Sequence, residues 1–224
     1  MSPQRKRVLS QPLSDRFNDA LVYAHTLHRH QPRKGKDVPY IGHLLGVASL
    51  VLEAGGDEDM AIAALLHDAV EDQGGRPLLE EIRARFGGKV ARIVEGCTDS
   101  YEQDPDRKLP WCERKIDYIE HVREHADAEV RLVSVADKLY NARAILTDHF
   151  ECSDAVFERF SGKKDGTLWY YRALVEAFRA AETRDAHDSA DVGAGRRRLL
   201  DELERTVEQL EARCGGKGEN PCRG

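Results

Sequence analysis

Apolar residues recur three and four apart along most of this chain, and Val, Ile and Thr do not gather into alternating runs. The pattern therefore predicts helices throughout and an all-α fold. Phe17, Leu21, Ala24 and Leu27 form the stripe of a first helix over 14–30, with Ser14 at its N-cap. After the polar, basic loop QPRKGKDVP, a second helix over 41–54 turns Val47, Leu50 and Val51 inward and stops at Gly55-Gly56. Asp57 caps a third helix, to about residue 70, whose AIAALL is too apolar for a surface element. Shorter helices are expected over 78–86 and 89–97, a loop over 100–110, and long helices over 111–125 and 127–147, the second holding the buried run VRLVSVA. An aromatic helix follows over 169–181. The expected organisation is one helical body over 1–183, a linker rich in Asp, Ala and Gly over 184–195, an amphipathic helix over 196–213 and a disordered tail over 214–224. Leu199, Leu203, Val207 and Leu210 share one face of that last helix, which needs a partner, either the body or a second copy of the chain.

Composition narrows the class. The 224 residues suit one domain, and 33% are charged against a usual value of about 25%. No run reaches the ~18 apolar residues of a membrane span, and the amino terminus lacks the apolar stretch of a signal peptide. A cytoplasmic protein with no membrane partner is expected. Five cysteines without a CxxC pair read as bystanders in a reducing compartment. With 34 basic and 40 acidic residues the net charge is −6, which argues against nucleic acid as a partner, so an anionic ligand has to be gathered by a local patch.

The candidate chemistry starts at LLHDAVED, where four polar residues close an apolar helix. His67 and Glu71 are four apart, as are Asp68 and Asp72, so each pair stands one turn apart. Desolvating a carboxylate there costs several kcal/mol unless something pairs it. His43 shares the inward face of its helix with Val47, and Asp137 follows VRLVSVA with Asn141 one turn on. Singly, these residues have plainer readings: a solvated helix end, a hydrogen-bonded core histidine, an acid paired by Lys138. Together they offer two nitrogens and two carboxylates, from three buried helices, to one divalent ion with positions left for water and a substrate oxygen.

The order His43, His67-Asp68, Asp137 resembles the HD superfamily of metal-dependent phosphohydrolases. RKGKDVPYIGHLLGVASLV, AALLHDAVED, FGGKVARIVEGCTD and VSVADKLYNARAIL resemble, more narrowly, the (p)ppGpp hydrolase domain of RelA/SpoT-type enzymes and the free-standing small alarmone hydrolases. The resemblance covers residues 17–178. It implies an HD helical bundle of about eight to ten helices, with Mn²⁺ held by His43, His67, Asp68 and Asp137, and with Glu71 and Asp72 orienting and deprotonating the attacking water. It further implies that Arg33 and Lys34 face a nucleotide and that Asn141 contacts its sugar or phosphate, with Arg114 and Lys115, or Lys163 and Lys164, as further charge. Tyr140, Trp169, Tyr170 and Tyr171 fit the core better than the site. The implied reaction removes the 3′-diphosphate of a guanosine alarmone. The rivals are another HD nucleotide phosphohydrolase, acting on a 5′-nucleotide or the 2′-phosphate of NADPH, and a regulatory module that binds a nucleotide without turnover. Two departures stand out: Leu44 where the family usually has Pro, and a longer loop over 100–110. No synthetase domain is expected after the last helix.

Overall fold

The computed structural model describes residues 12–184 and 190–222, so the amino-terminal residues 1–11 lie outside it. Among the described residues the chain forms nine α-helices and no strand, with a single isolated bridge between Pro32 and Pro39. They are α1 (Asp15–Leu27), α2 (Ile41–Glu53), α3 (Glu58–Leu66), α4 (Gly75–Phe86), α5 (Gly88–Cys97), α6 (Trp111–Glu124), α7 (Ala128–Cys152), α8 (Lys163–Arg184) and α9 (Ala190–Cys214). Side-chain caps fix three of the starts. Ser14 accepts from Arg16 N, Asp57 from Met60 N, and Asp127 from both Glu129 N and Val130 N, each satisfying donors that the first turn leaves free.

Every residue of α3 from Met60 to Leu66 is buried, and α1, α2, α5 and α7 pack round it. The 25-residue α7 is the other axis of the bundle. α2 and α7 approach closely because Gly46 has no side chain: a Cβ there would lie 2.0 Å from Cε2 of Tyr140. This contact sets the distance between the two helices at the height of His43 and Asp137.

Three elements differ from expectation. α3 ends at Leu66, and Val70–Gly74 forms one π turn instead of a last α turn; such turns recur at functional sites. Gly75, at φ 57°, closes that turn with Tyr101 O so near that a Cβ would come within 2.6 Å of it. The second difference is at α9, which takes in residues 190–195 of the expected linker, while 185–189 lie outside the described residues. Its apolar face is covered by α7 and α8, with Leu199, Leu203, Val207 and Leu210 all buried. The partner of that face is the chain's own body, at about 1.5–3 kcal/mol per buried side chain.

The third difference is the tail. Cys112 and Cys222 form a disulfide across 110 residues, and Gly218 and Pro221 lie against the first turn of α8. The expected disorder of the tail is therefore corrected as far as Cys222, and two of the five cysteines are not bystanders. A pairing that spans the chain leaves no local CxxC signature, so the cysteine set carries no argument for a reducing compartment.

Candidate active site

Three crossing helices bring a polar cluster to one point: His43 from the first turn of α2, His67 and Asp68 from the end of α3, and Asp137 from α7. His43 Nε2 lies 3.4 Å from Asp68 Oδ2 and 3.2 Å from Asp137 Oδ1. His67 Nε2 lies 3.0 Å and 3.5 Å from the same two oxygens. Both imidazoles are buried, and neither Nε2 has a hydrogen-bond partner, a state that costs about 1–3 kcal/mol per atom. His67 Nδ1–H donates to Ala64 O at 2.8 Å, which leaves the Nε2 lone pair pointing at the carboxylates. These separations suit a shared cation, because ligands about 2.1 Å from one ion and 90–109° apart lie about 3.0–3.4 Å from one another. The donor atoms of His43, His67 and Asp68 all fall within 4.8 Å of each other.

Burial works against charge throughout the cluster, yet the neighbours outweigh it. Asp68 and Asp137 raise the His67 imidazole well above its ordinary pKa. His67 and His43 hold Asp68 well below the carboxylate range, and Lys138 with the two histidines does the same for Asp137. Asp137 Oδ2 accepts from Lys138 Nζ at 2.6 Å and Oδ1 from Asn141 Nδ2 at 2.6 Å, while Asp68 Oδ2 accepts from Tyr40 OH at 2.5 Å. The carboxylates are held ionised and aimed, and the field that favours an imidazolium here favours a divalent cation equally. The donor set fits a metal.

Glu71 and Asp72 sit on the π turn beside this cluster. Burial first, then Asp99 and Asp68, push Glu71 up to about 7; burial and Asp68 push Asp72 up to about 6. Asp72 Oδ2 accepts from Gln31 Nε2 at 2.8 Å, and Glu71 Oε1 lies 3.5 Å from Lys108 Nζ. Carboxyls poised near neutrality are suited to exchanging a proton with water.

All nine expected site residues except the two buried histidines line one cavity of about 620 Å³. Arg33 Nη2 donates to Asn141 Oδ1 at 2.7 Å, so Arg33, Asn141 and Asp137 form a chain from the basic loop to the cluster. The Arg33 guanidinium lies 5.5 Å from the Tyr40 ring centroid and 5.9 Å from that of Tyr140. Burial, then Lys115 and Arg114, lowers the Lys34 pKa. Arg114 Nη1 reaches both oxygens of Asp99, at 2.8 and 2.9 Å, and Lys115 Nζ reaches Oδ2 at 2.5 Å. Lys163 and Lys164 are not brought to the cavity; they pair with Glu158 and Asp154. Tyr140, Tyr170 and Tyr171, set aside on sequence, do line it, whereas Trp169 stacks edge-on to Trp111. Sequence reasoning also missed Tyr40, Gln31 and Asp99. Tyr40 carried a signal, since it stands three residues before His43.

A model of the HD domain matches residues 20–163, which take in the whole cluster. The chain belongs to the HD-domain family. Among the proteins it resembles are the guanosine-3′,5′-bis(diphosphate) 3′-pyrophosphohydrolases MESH1 of Xenopus tropicalis and Homo sapiens, 44% and 41% identical over 128 residues. That stretch is 56% of this chain and 66% of each relative, just under two thirds of their length. A solved structure described as a metazoan ortholog of SpoT that hydrolyzes ppGpp superposes with a TM-score of 0.65 at 28% identity, covering 88% of this chain and 97% of that one.

Proposed function

We propose that this HD protein is a metal-dependent hydrolase that removes the 3′-diphosphate of guanosine alarmones, (p)ppGpp, to give GDP or GTP and pyrophosphate. The observation that carries the proposal is the cluster of buried His43, His67 and Asp137 with the partly buried Asp68, opening on a cavity lined by cations. Those four residues would hold the metal, Mn²⁺ by resemblance, although two nitrogens and two carboxylates do not select Mn²⁺ by affinity. When bound, the ion polarises the scissile phosphate and acidifies a water.

The remaining work falls to the chain. Glu71, with Asp72, takes the proton from the attacking water, which its raised pKa allows near neutrality. The attack is on the 3′-linked phosphorus; the bond from that phosphorus to O3′ breaks, O3′ is protonated, and the diphosphate leaves whole. Arg33 offers a flat guanidinium to the purine between Tyr40 and Tyr140. Lys34, Arg114 and Lys115 neutralise phosphate charge in a protein whose net charge of −6 would otherwise repel it. Asn141, already bonded to Arg33 and Asp137, is placed to meet the sugar or phosphate. A guanosine nucleotide substrate goes with a cytoplasmic location, and no described helix is long and apolar enough to cross a membrane.

Incubating the Mn²⁺-loaded protein with ppGpp and separating the products tests the reading. GDP and intact pyrophosphate are expected. Release of orthophosphate, or much faster hydrolysis of NADPH or a 5′-monophosphate, transfers the site to another nucleotide phosphohydrolase reaction.

A further inference from the structure

A second group of metal-type donors lies at the far end of α7, twelve residues beyond Asp137 and so about 18 Å along the helix. It joins three elements: His149 near the end of α7, Asp154 on the 3₁₀ segment Ser153–Arg159, and Cys214, the last residue of α9. None of the three lines the active-site cavity. Their donor atoms lie within 4.8 Å of one another, with His149 Nε2 3.0 Å from Asp154 Oδ1 and 3.6 Å from Cys214 Sγ. Around a tetrahedral zinc ion, with bonds of about 2.05 Å to nitrogen and 2.3 Å to sulfur, those two atoms stand about 3.5 Å apart. The spacing to sulfur already matches, and the oxygen needs to move by only a few tenths of an ångström.

We propose that His149, Asp154 and Cys214 form a second cation site that takes Zn²⁺, with a water as fourth ligand. The thiolate is what distinguishes it from the first cluster, since soft sulfur strengthens Zn²⁺ over Mn²⁺ beyond the ordinary preference that nitrogen and oxygen donors already have. A dication with one carboxylate and one thiolate is neutral, so the neighbouring cations remain outside the shell. Lys164 Nζ already binds the other oxygen of Asp154, at 2.8 Å. Arg213 Nε–H donates to His149 Nδ1 at 3.3 Å. Coordination at Nε2 places the imidazole proton on Nδ1, so this contact breaks, and the Arg213 guanidinium keeps its stacking on Phe150 at 3.8 Å. Burial pushes the Cys214 thiol up, so the metal displaces its proton to solvent. The 3₁₀ segment runs on into Arg159 and Phe160, which line the cavity. Zinc at this point ties the end of α9 to one wall of the active site.

Cobalt titration of the chelator-stripped, disulfide-intact protein tests the assignment without reading activity. A near-ultraviolet thiolate-to-cobalt charge-transfer band is expected, with the intensity of one thiolate-bound cobalt per chain and displaced by Zn²⁺. The band should persist in His67→Ala, which disables the first cluster, and vanish in Cys214→Ser. Asp154 is exposed, so Asp154→Asn leaves the fold intact and should weaken Zn²⁺ binding on the order of tenfold or more. Absence of the band in the wild type, its survival in Cys214→Ser, or unchanged Zn²⁺ affinity in Asp154→Asn overturns the site.

Discussion

Helix α7 carries two buried aspartates on the cavity side, Asp137 and Asp148, exposed by only 5% and 4%. Asp148 is answered by two fixed cations, Lys36 and Arg159, the latter at 2.5 Å from its Oδ2. Asp137 has Lys138 and Asn141, but its Oδ1 also faces two imidazole nitrogens that have no hydrogen-bond partner. At Asp148 the chain's own cations pair both oxygens of the acid. At Asp137 the two buried nitrogens are left open to a cation. A buried carboxylate is thus not in itself a sign of metal binding; the unpartnered nitrogens opposite it are.

The largest expected effect follows from breaking the open cluster. His67→Ala or Asp137→Ala should remove the metal and lower turnover by at least a factor on the order of 10³, the equivalent of about 4 kcal/mol of lost phosphate polarisation. Elemental analysis showing undiminished metal in both variants would falsify the ligand assignment. Next comes the separation of holding from reacting. Glu71→Gln with Asp72→Asn should keep metal content and nucleotide affinity but lose turnover by a factor on the order of 10² or more; normal turnover removes their role with water.

Breaking the closed cluster should read out differently. Asp148→Ala leaves Lys36 and Arg159 without their acid, and because both are partly exposed the loss is about 2 kcal/mol, visible in thermal or denaturant melts with the metal retained. Loss of metal in that variant would show the two clusters to be one.

The pH profile sharpens the contrast further. Glu71 needs its carboxylate to accept a proton, and its pKa of about 7 means that turnover should fall as pH drops through that value, by about tenfold per unit below it. Because the folded state raises this group from 4.5, its contribution to stability is fully present below 4.5 and is lost as pH rises through about 7. A bound cation favours the carboxylate and should move the limb of the rate profile to lower pH. The profile of Glu71→Gln should lack the limb; its persistence there assigns it to another group. The smallest effects are expected at the loop. Arg33→Ala and Lys34→Ala should each raise KM several-fold more than they lower kcat, less so as salt rises. A change confined to kcat places them at the reacting phosphorus instead.

Much of the candidate site was legible because its residues follow the helical repeat. His43 shares a face with Val47, and Asp137 follows VRLVSVA, so their burial could be read from the period of apolar residues. Glu71 and Asp72 were legible as candidates, but their raised pKa values were not. These depend on burial, on Asp68 and, for Glu71, on Asp99, which follows the C-cap of α5. The closed cluster was invisible, since Lys36, Asp148 and Arg159 are separated by more than a hundred positions in one case and meet only through packing.

The helical class, the order of the polar donors and the basic loop ahead of them can be read along the chain, because amphipathic period, caps and glycine stops act within a few residues. Packing alone settles that the last helix covers α7 and α8 with its own apolar face, that Cys112 meets Cys222, and that α3 gives way to a π turn at Val70. Those outcomes depend on which surfaces fit at long range, as where Gly46 lets Tyr140 lie against α2, and a periodic face shows that a partner is needed without showing which. Local energetics fixes each element, while close packing chooses its neighbours, and the charge state of Glu71 follows from that choice.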